Sequence, residues 1–330
     1  MTDAACRIVK ADRGDAGQRL DLVLRRHLTD VRSATRTRVQ AWIESGLVTV
    51  NGKAVHRVAV RAALGDVLSV ALPDAKREAM AAEDIAIKVL YEDDHLLAID
   101  KPAGLVVHPA HKNPSGTLMN ALLWHARAWP APQRPSLVGR LDKLTSGIVL
   151  VAKSAAIHAS LQKALASSAT TKDYLAVVYG KVNVSRGEID LRLGRDPGDR
   201  RRVVASEDLG APSLTRFVRL ARVPAPAAGL SALRCRLVTG RTHQIRVHLS
   251  ARGWPLVGDP TYGEPRWRQV KDPALGSVLR DFPRQALHAW RLTTRHPVTG
   301  IKLTIEATVP ADIQCLMAAA DLHLPADAQR

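Results

Sequence analysis

Residues 138–153 read Val138-Gly139-Arg140-Leu141-Asp142-Lys143-Leu144-Thr145-Ser146-Gly147-Ile148-Val149-Leu150-Val151-Ala152-Lys153. The second half is an apolar, β-branched run, which predicts a buried strand. The first half sets one carboxylate, Asp142, between an arginine two residues before it and a small polar turn after it. An aspartate in a loop is most often a turn former or a helix cap. On this stretch alone, turn former and reactive group stand level.

Two further stretches shift the balance. Thr171–Gly180 reads as a strand with Tyr174 near its start, and Thr239–Ser250 packs Arg241, His243, Arg246 and His248 into a β-to-helix passage. Pro255-Leu256-Val257-Gly258-Asp259-Pro260-Thr261-Tyr262-Gly263 follows. Such a density of His, Arg and Gly is unusual for a core element. His243 and His248 have no Cys, Asp or Glu at ligand spacing nearby, so no metal site is expected.

The whole chain has 330 residues, 46% of them apolar, and its 48 Lys+Arg against 31 Asp+Glu leave a net charge of +17. That composition excludes a mainly disordered chain. No run of about 18 uncharged apolar residues exists, so no membrane span is expected. The first twenty residues carry Asp3 and Asp12 and no apolar core, which argues against a secretory signal. Cys6, Cys235 and Cys315 lie far apart, against a disulfide framework or zinc knuckle and in keeping with a reducing cytoplasm. The charge makes nucleic acid the expected partner.

Composition divides the chain into a polar arm (1–16), a compact basic segment (17–74), an Ala-rich charged linker (75–85), a long β-rich region (86–315) and a tail (316–330). In the basic segment Leu20, Val23, Leu24 and Leu28 share a helical face. Ser33 or Thr35 can cap a second helix carrying Val39, Trp42 and Ile43. Leu47–Val50 and Leu68–Leu72 alternate as strands, and Asn51-Gly52 is a strong hairpin signal. From Gly17 to Arg77 there are eleven Lys/Arg and five Asp/Glu, a net of +6.

This segment resembles the S4 RNA-binding module through Arg36-Thr37-Arg38-Val39-Gln40, Ile43–Val48, Val50-Asn51-Gly52-Lys53 and Gly65-Asp66. In that module two helices and a hairpin present basic residues to structured RNA. Arg36, Arg38 and Lys53, at a helix start and a hairpin tip, are the candidates here.

The segments together resemble the RluA-type family of RNA pseudouridine synthases, in order and over nearly the whole chain. The family motif around its catalytic aspartate matches Arg140-Leu141-Asp142 and Thr145-Ser146-Gly147. Its base-stacking tyrosine matches Tyr174, and the arginine that pairs with the catalytic carboxylate matches Arg246. Leu287-His288-Ala289 and His296-Pro297 match its late segment. Gly139 stands where the family usually has His, and Lys143-Leu144 where it usually has a polar pair. These departures bear on RNA contacts beside the site.

The resemblance implies an S4 domain over 17–74 joined to an α+β catalytic domain over 86–315, built on a mixed, mostly antiparallel β-sheet with flanking helices. It implies isomerisation of uridine in structured RNA, most of all large-subunit ribosomal RNA, by a cytoplasmic monomer. Breaking N1–C1′ and forming C5–C1′ moves no electron, hydride or phosphate, so no cofactor or metal is expected. The reaction needs one ionised carboxylate, here Asp142. Arg246 would stabilise that charge, Tyr174 would stack on the uracil, and Arg140 would fill the space a flipped uridine leaves. Arg200, Arg201 and Arg202, on a Gly/Pro/Asp-rich loop, and Arg241 and His243 would add RNA contacts. A non-catalytic RNA-binding or ribosome-assembly protein on the same fold, or a glycosylase, is the alternative.

Overall fold

The computed structural model describes residues 6–28, 31, 34–72, 80–109, 113–199, 202–223 and 229–325. The chain forms two compact units, Met1–Met80 and Ala81–Arg330.

The first unit contains β1 (Cys6–Lys10), α1 (Leu20–His27), α2 (Arg36–Glu44), β2 (Val48–Val50), β3 (Lys53–Ala54) and β4 (Val67–Ala71). The apolar stripes of both helices close over one core: Leu20, Val23 and Leu24 meet Val39, Trp42 and Ile43 above Val48, Leu68 and Val70. Each such side chain contributes about 1.5–3 kcal/mol by leaving water. Thr35 caps α2 by accepting the Arg38 N–H, while Ser33 lies outside the described residues. The four strands pair antiparallel in the order β1-β4-β2-β3. The boundary expected at Gly17 shifts: β1 pairs along β4 from Cys6, and Asp15 is buried against Arg26 and His27. Only Val9 of β1 faces inward, too little periodicity to announce a strand.

The second unit opens with β5 (Lys88–Glu92), β6 (Leu96–Lys101), α3 (Leu118–His125), β7 (Ser136–Val138), β8 (Ser146–Ala152), α4 (Ala155–Ala166) and β9 (Thr171–Tyr179). Then come β10 (Arg186–Asp190), β11 (Arg192–Arg195), β12 (Val203–Ser206), β13 (Leu214–Val223), β14 (Leu230–Leu237) and α5 (Gln244–Ala251). The last elements are α6 (Pro273–Asp281), β15 (Leu287–Arg295), β16 (Lys302–Glu306) and α7 (Ala311–Ala319). Ten strands make one sheet along β10-β13-β14-β9-β15-β8-β6-β5, with β7 on β8 and β16 on β15. Among the described pairings only β8–β15 is parallel, so the mixed, mostly antiparallel α+β architecture is borne out. β11 and β12 form a separate hairpin.

Alternation along the central strands sorts the helices to the two faces. On β9, Leu175, Val177 and Tyr179 join the core under α6 and α7, while Ala176 and Val178 join the core under α5. The apolar run of β8 is buried throughout, with Ile148 and Leu150 toward Leu161 of α4 and Val149 and Val151 toward α3. Gly147 has φ +111°, and a Cβ there would lie 2.2 Å from the Ala289 carbonyl oxygen. Only glycine lets β8 and β15 approach at this point. Leu316, Met317, Ala320 and Leu322 are buried in the main core, so the domain runs past the expected limit at 315. At the linker's end, Ala81 accepts an N–H of Asn120 and Glu83 accepts the Gly116 N–H. No helix of the described residues is long and apolar enough to cross a membrane.

The β5–β6 turn is closed by Asp93. Its carboxylate accepts the Tyr91 hydroxyl at 2.6 Å, the His95 and Leu96 N–H groups, and His296 Nε2 at 2.8 Å. Burial disfavours the charge, but these hydrogen bonds outweigh it and hold the carboxyl down at about 2. Its folded pKa lies below the unfolded value, so the stabilisation is complete above about pH 4 and is lost as pH falls through about 2. Asp93→Asn should therefore cost about 2 kcal/mol at pH 7 in denaturant unfolding. The gap to wild type should narrow steadily below about pH 4; a gap independent of pH would contradict this account.

Candidate active site

The loop between β7 and β8, the start of β9, the start of α5 and β15 line a cleft of about 540 Å3 that includes Arg140, Asp142, Tyr174, Arg241, His243 and Arg246. The turn after α5 stands behind it and supplies the partner of Arg246.

Asp142 is one-quarter exposed, and its Oδ2 accepts a hydrogen bond from Arg246 Nη1 at 2.9 Å. Arg246 is almost fully buried. Its Nε and Nη2 donate to both oxygens of Asp259, at 2.7 and 2.8 Å, and Asp259 also accepts the Thr261 and Tyr262 N–H groups. Burial works against the guanidinium's charge, but Asp259 and then Asp142 outweigh it and its pKa is raised. Asp259 is held below its ordinary value because Arg246 and the two N–H groups overcome its own desolvation. The arginine is thus a fixed cation whose remaining nitrogen, Nη1, donates to Asp142.

The start of α5 explains how Arg246 is aimed. Gln244 is buried; its amide donates to the Leu214 carbonyl and Thr215 Oγ1 and accepts the Thr239 hydroxyl and the Arg241 N–H. These bonds fasten the helix to β13 two residues before Arg246. His248, one turn beyond Gln244, is a satisfied core histidine between Thr215 Oγ1 and the Leu191 carbonyl.

The loop that carries Asp142 is held through its backbone. The Lys143 carbonyl accepts from Lys101 Nζ at 3.1 Å and from the Gly104 N–H at 2.8 Å. The Leu144 carbonyl accepts from Arg284, and Thr145 Oγ1 from Gln285. Arg284 is itself clamped by Asp312 of α7. Lys101 is fully buried and also donates to the Pro102 and Leu105 carbonyls. Its burial, with Arg284 nearby, lowers its pKa to about 8 against the attraction of Asp142. Since the loop is gripped by its carbonyls, the side chains of Lys143 and Leu144 can differ from the family pattern without disturbing Asp142. Gly139 has φ +88°, a backbone geometry that a histidine there would adopt only under strain.

Tyr174 is half-buried, at the edge of the core under α5. Burial first, then the charge of Asp142, pushes its phenol pKa up, so its hydroxyl keeps its proton and the ring is neutral. Arg140 and Arg241 are exposed at the cleft. His243 Nε2 lies 3.8 Å from Asp142 Oδ1, too far for a hydrogen bond. Arg202 is exposed beside Tyr262, 5.6 Å from its ring; Arg200 and Arg201 lie outside the described residues. Arg36, Arg38 and Lys53 belong to the first unit: Arg36 sits 3.7 Å from the buried Asp21, and Lys53 is exposed on β3.

Asp259, Lys101, Arg284 and Tyr262 complete the site and were not singled out from sequence. Nothing in the sequence pointed to Asp259, because the burial of Arg246, which calls for a firm anionic partner, shows only in the fold. If Asp259 anchors Arg246, Asp259→Asn should lower unfolding stability by about 3–5 kcal/mol by leaving a buried cation half-paired. It should also cut turnover. A denaturant melt matching wild type would contradict the assignment.

Residues 95–251 match the family described as RNA pseudouridylate synthase. The ribosomal large subunit pseudouridine synthase D of Pseudomonas aeruginosa is 40% identical over 323 residues, covering 96% of each chain. An uncharacterized RNA pseudouridine synthase of Bacillus subtilis is 39% identical over 84% of this chain and 87% of its own. The solved structure of human RNA pseudouridylate synthase domain containing 1 superposes with a TM-score of 0.57 at 26% identity, over 75% of this chain and 94% of that one. Carried by similarity across nearly its full length, and by a fold shared with these enzymes, the chain belongs to the RluA-type family of RNA pseudouridine synthases.

Proposed function

We propose that this enzyme isomerises uridine in large-subunit ribosomal RNA, with Asp142 as its catalytic carboxylate. The observation that carries the reading is the Asp142–Arg246–Asp259 chain, which presents one carboxylate to a cleft while a buried cation fixes it. Its Oδ2 is occupied by Arg246, and Oδ1 is left for the ribose. The N1–C1′ bond breaks, the uracil turns, C5 bonds to C1′ and then gives up its proton, and N1 takes one up, so the product is an isomer with no group gained or lost. Tyr174 packs against the ring during that turn. Arg140, exposed beside Asp142, enters the stack that the flipped uridine vacates, offsetting a cost of a few kcal/mol.

The relatives named for the large ribosomal subunit support ribosomal RNA as the substrate, and the net charge of +17 supports a polyanionic partner. On this reading the enzyme works as a monomer in the cytoplasm. The first unit is an S4 domain whose Arg36, Arg38 and Lys53 take phosphates. Arg241, His243 and the loop bearing Arg200, Arg201 and Arg202 add contacts around the cleft.

A pseudouridine map of ribosomal RNA from cells lacking the gene should show missing sites. Wild type should restore them and Asp142→Asn should not. Restoration by Asp142→Asn would assign the chain an RNA-binding role without chemistry. Affinity for ribosomal RNA should fall steeply with salt. Replacing Arg36, Arg38 and Lys53 with Ala should flatten the slope of log K against log[salt] by about two to three; an unchanged slope would place the phosphates elsewhere.

A further inference from the structure

His243 is built into the cleft in an unusual way. It occupies the position before the first residue of α5, where a short capping side chain is the rule, yet its side chain makes no cap. Its backbone is left-handed, φ +55°, a costly geometry for a residue with a Cβ and one that concentrates at functional sites. Its Nδ1 lies 2.9 Å from the Tyr262 hydroxyl. That hydroxyl already accepts the Val203 N–H at 2.9 Å. Among the described residues, His243 Nδ1 is the acceptor within reach of the single phenolic proton. Nδ1 therefore accepts, and the ring proton sits on Nε2. Burial lowers the imidazole's pKa against the attraction of Asp142, consistent with a neutral ring.

The Nε2–H is thus fixed, and it faces Asp142 Oδ1 at 3.8 Å. Arg246 occupies Oδ2, so a reacting C1′ approaches on the Oδ1 side. On the sugar side the ring oxygen O4′ is bonded to C1′ but loses electron density as N1 departs, so the nearest oxygen that remains a good acceptor is the 2′-hydroxyl, two bonds away. Uracil O2 is three bonds away and moves as the base turns, whereas the ribose must stay in place for C5 to find C1′.

Resting on the isomerase reading above, we propose that His243 donates its Nε2–H to the 2′-hydroxyl of the target ribose and that Tyr262 is the positioning residue that fixes this donor. The β11–β12 hairpin completes the arrangement, because Val203 begins β12 and its N–H orients the Tyr262 hydroxyl. The contact holds the sugar against Asp142 while the base leaves and returns.

The test is a binding cycle with a ribosomal RNA oligonucleotide that the wild-type enzyme converts, and its partner carrying 2′-deoxyuridine at the target. Wild type should bind the deoxy form about three- to tenfold more weakly, the reach of one hydrogen bond. His243→Ala should weaken binding of the ribose form by a similar factor and lose at least threefold of that discrimination. Tyr262→Phe, which frees the imidazole tautomer, should also shrink it. His243→Gln, which keeps an N–H donor, should regain part. Full discrimination in His243→Ala, or equal weakening of both oligonucleotides, overturns the inference; the latter points to uracil O2. Failure of wild type to convert any ribosomal oligonucleotide would instead refute the isomerase reading, and this inference with it.

Discussion

A guanidinium shared between two carboxylates is the interaction on which the catalytic unit depends. Arg246 is buried, where an unpaired charge would be prohibitive. Asp259 removes that problem with two parallel hydrogen bonds, the geometry for which arginine is suited and lysine is not. Once Nε and Nη2 are committed to Asp259, the third nitrogen, Nη1, is fixed in the same plane, and Asp142 lies within its reach. The surrounding elements serve this alignment. Gln244 fixes the helix that carries the arginine, and the turn after α5 brings back the carboxylate that anchors it.

The second constraint is on the backbone of the loop itself. Lys101 and Arg284 bind adjacent carbonyls from beneath, and Asp312 ties Arg284 to α7. Precision at Asp142 therefore comes from groups on β6, on the segment before β15 and on the last helix, with the Thr145 side chain of the loop also taking part. This separates the chemistry from the rim. Gly139 lines the cleft, and the side chains of Lys143 and Leu144 take no part in these bonds, so the carboxylate stays in register without them. The late matches to the family, His288 and His296, belong to the scaffold: one bonds Ser146 and the other Asp93.

Legibility in the sequence followed the range of the interaction. Local pattern located α1, α2 and β8: helical spacing showed the apolar faces of the two helices, and a continuous apolar, β-branched run marked a strand buried on both faces. Asp142, Tyr174 and Arg246 were legible as a set through the resemblance, and the structure brings all three to one cleft. Asp259, Lys101, Arg284 and Tyr262 were not. Each meets its partner through tertiary folding, as with Lys101 and the carbonyl of Lys143, and no spacing rule links such residues. β1 escaped notice because an edge strand with a single buried residue carries almost no pattern. The cut at 315 fell inside α7, where Ile313, Leu316 and Met317, with Ala320 just after the helix, are buried at helical spacing; only two of the four are large apolar residues on the tail side of the cut, too short a run to mark a face.

The most direct test of this account is the single-turnover rate of Arg246→Lys on a ribosomal RNA fragment, with RNA affinity measured alongside. Lysine keeps the charge but cannot give Asp259 two parallel hydrogen bonds while reaching Asp142 from a third, separate nitrogen. If bridging geometry is what orients Asp142, conversion should slow by about 100-fold or more while affinity changes little. Conversion at the wild-type rate would show that a nearby positive charge suffices and that the clamp is not what makes Asp142 reactive.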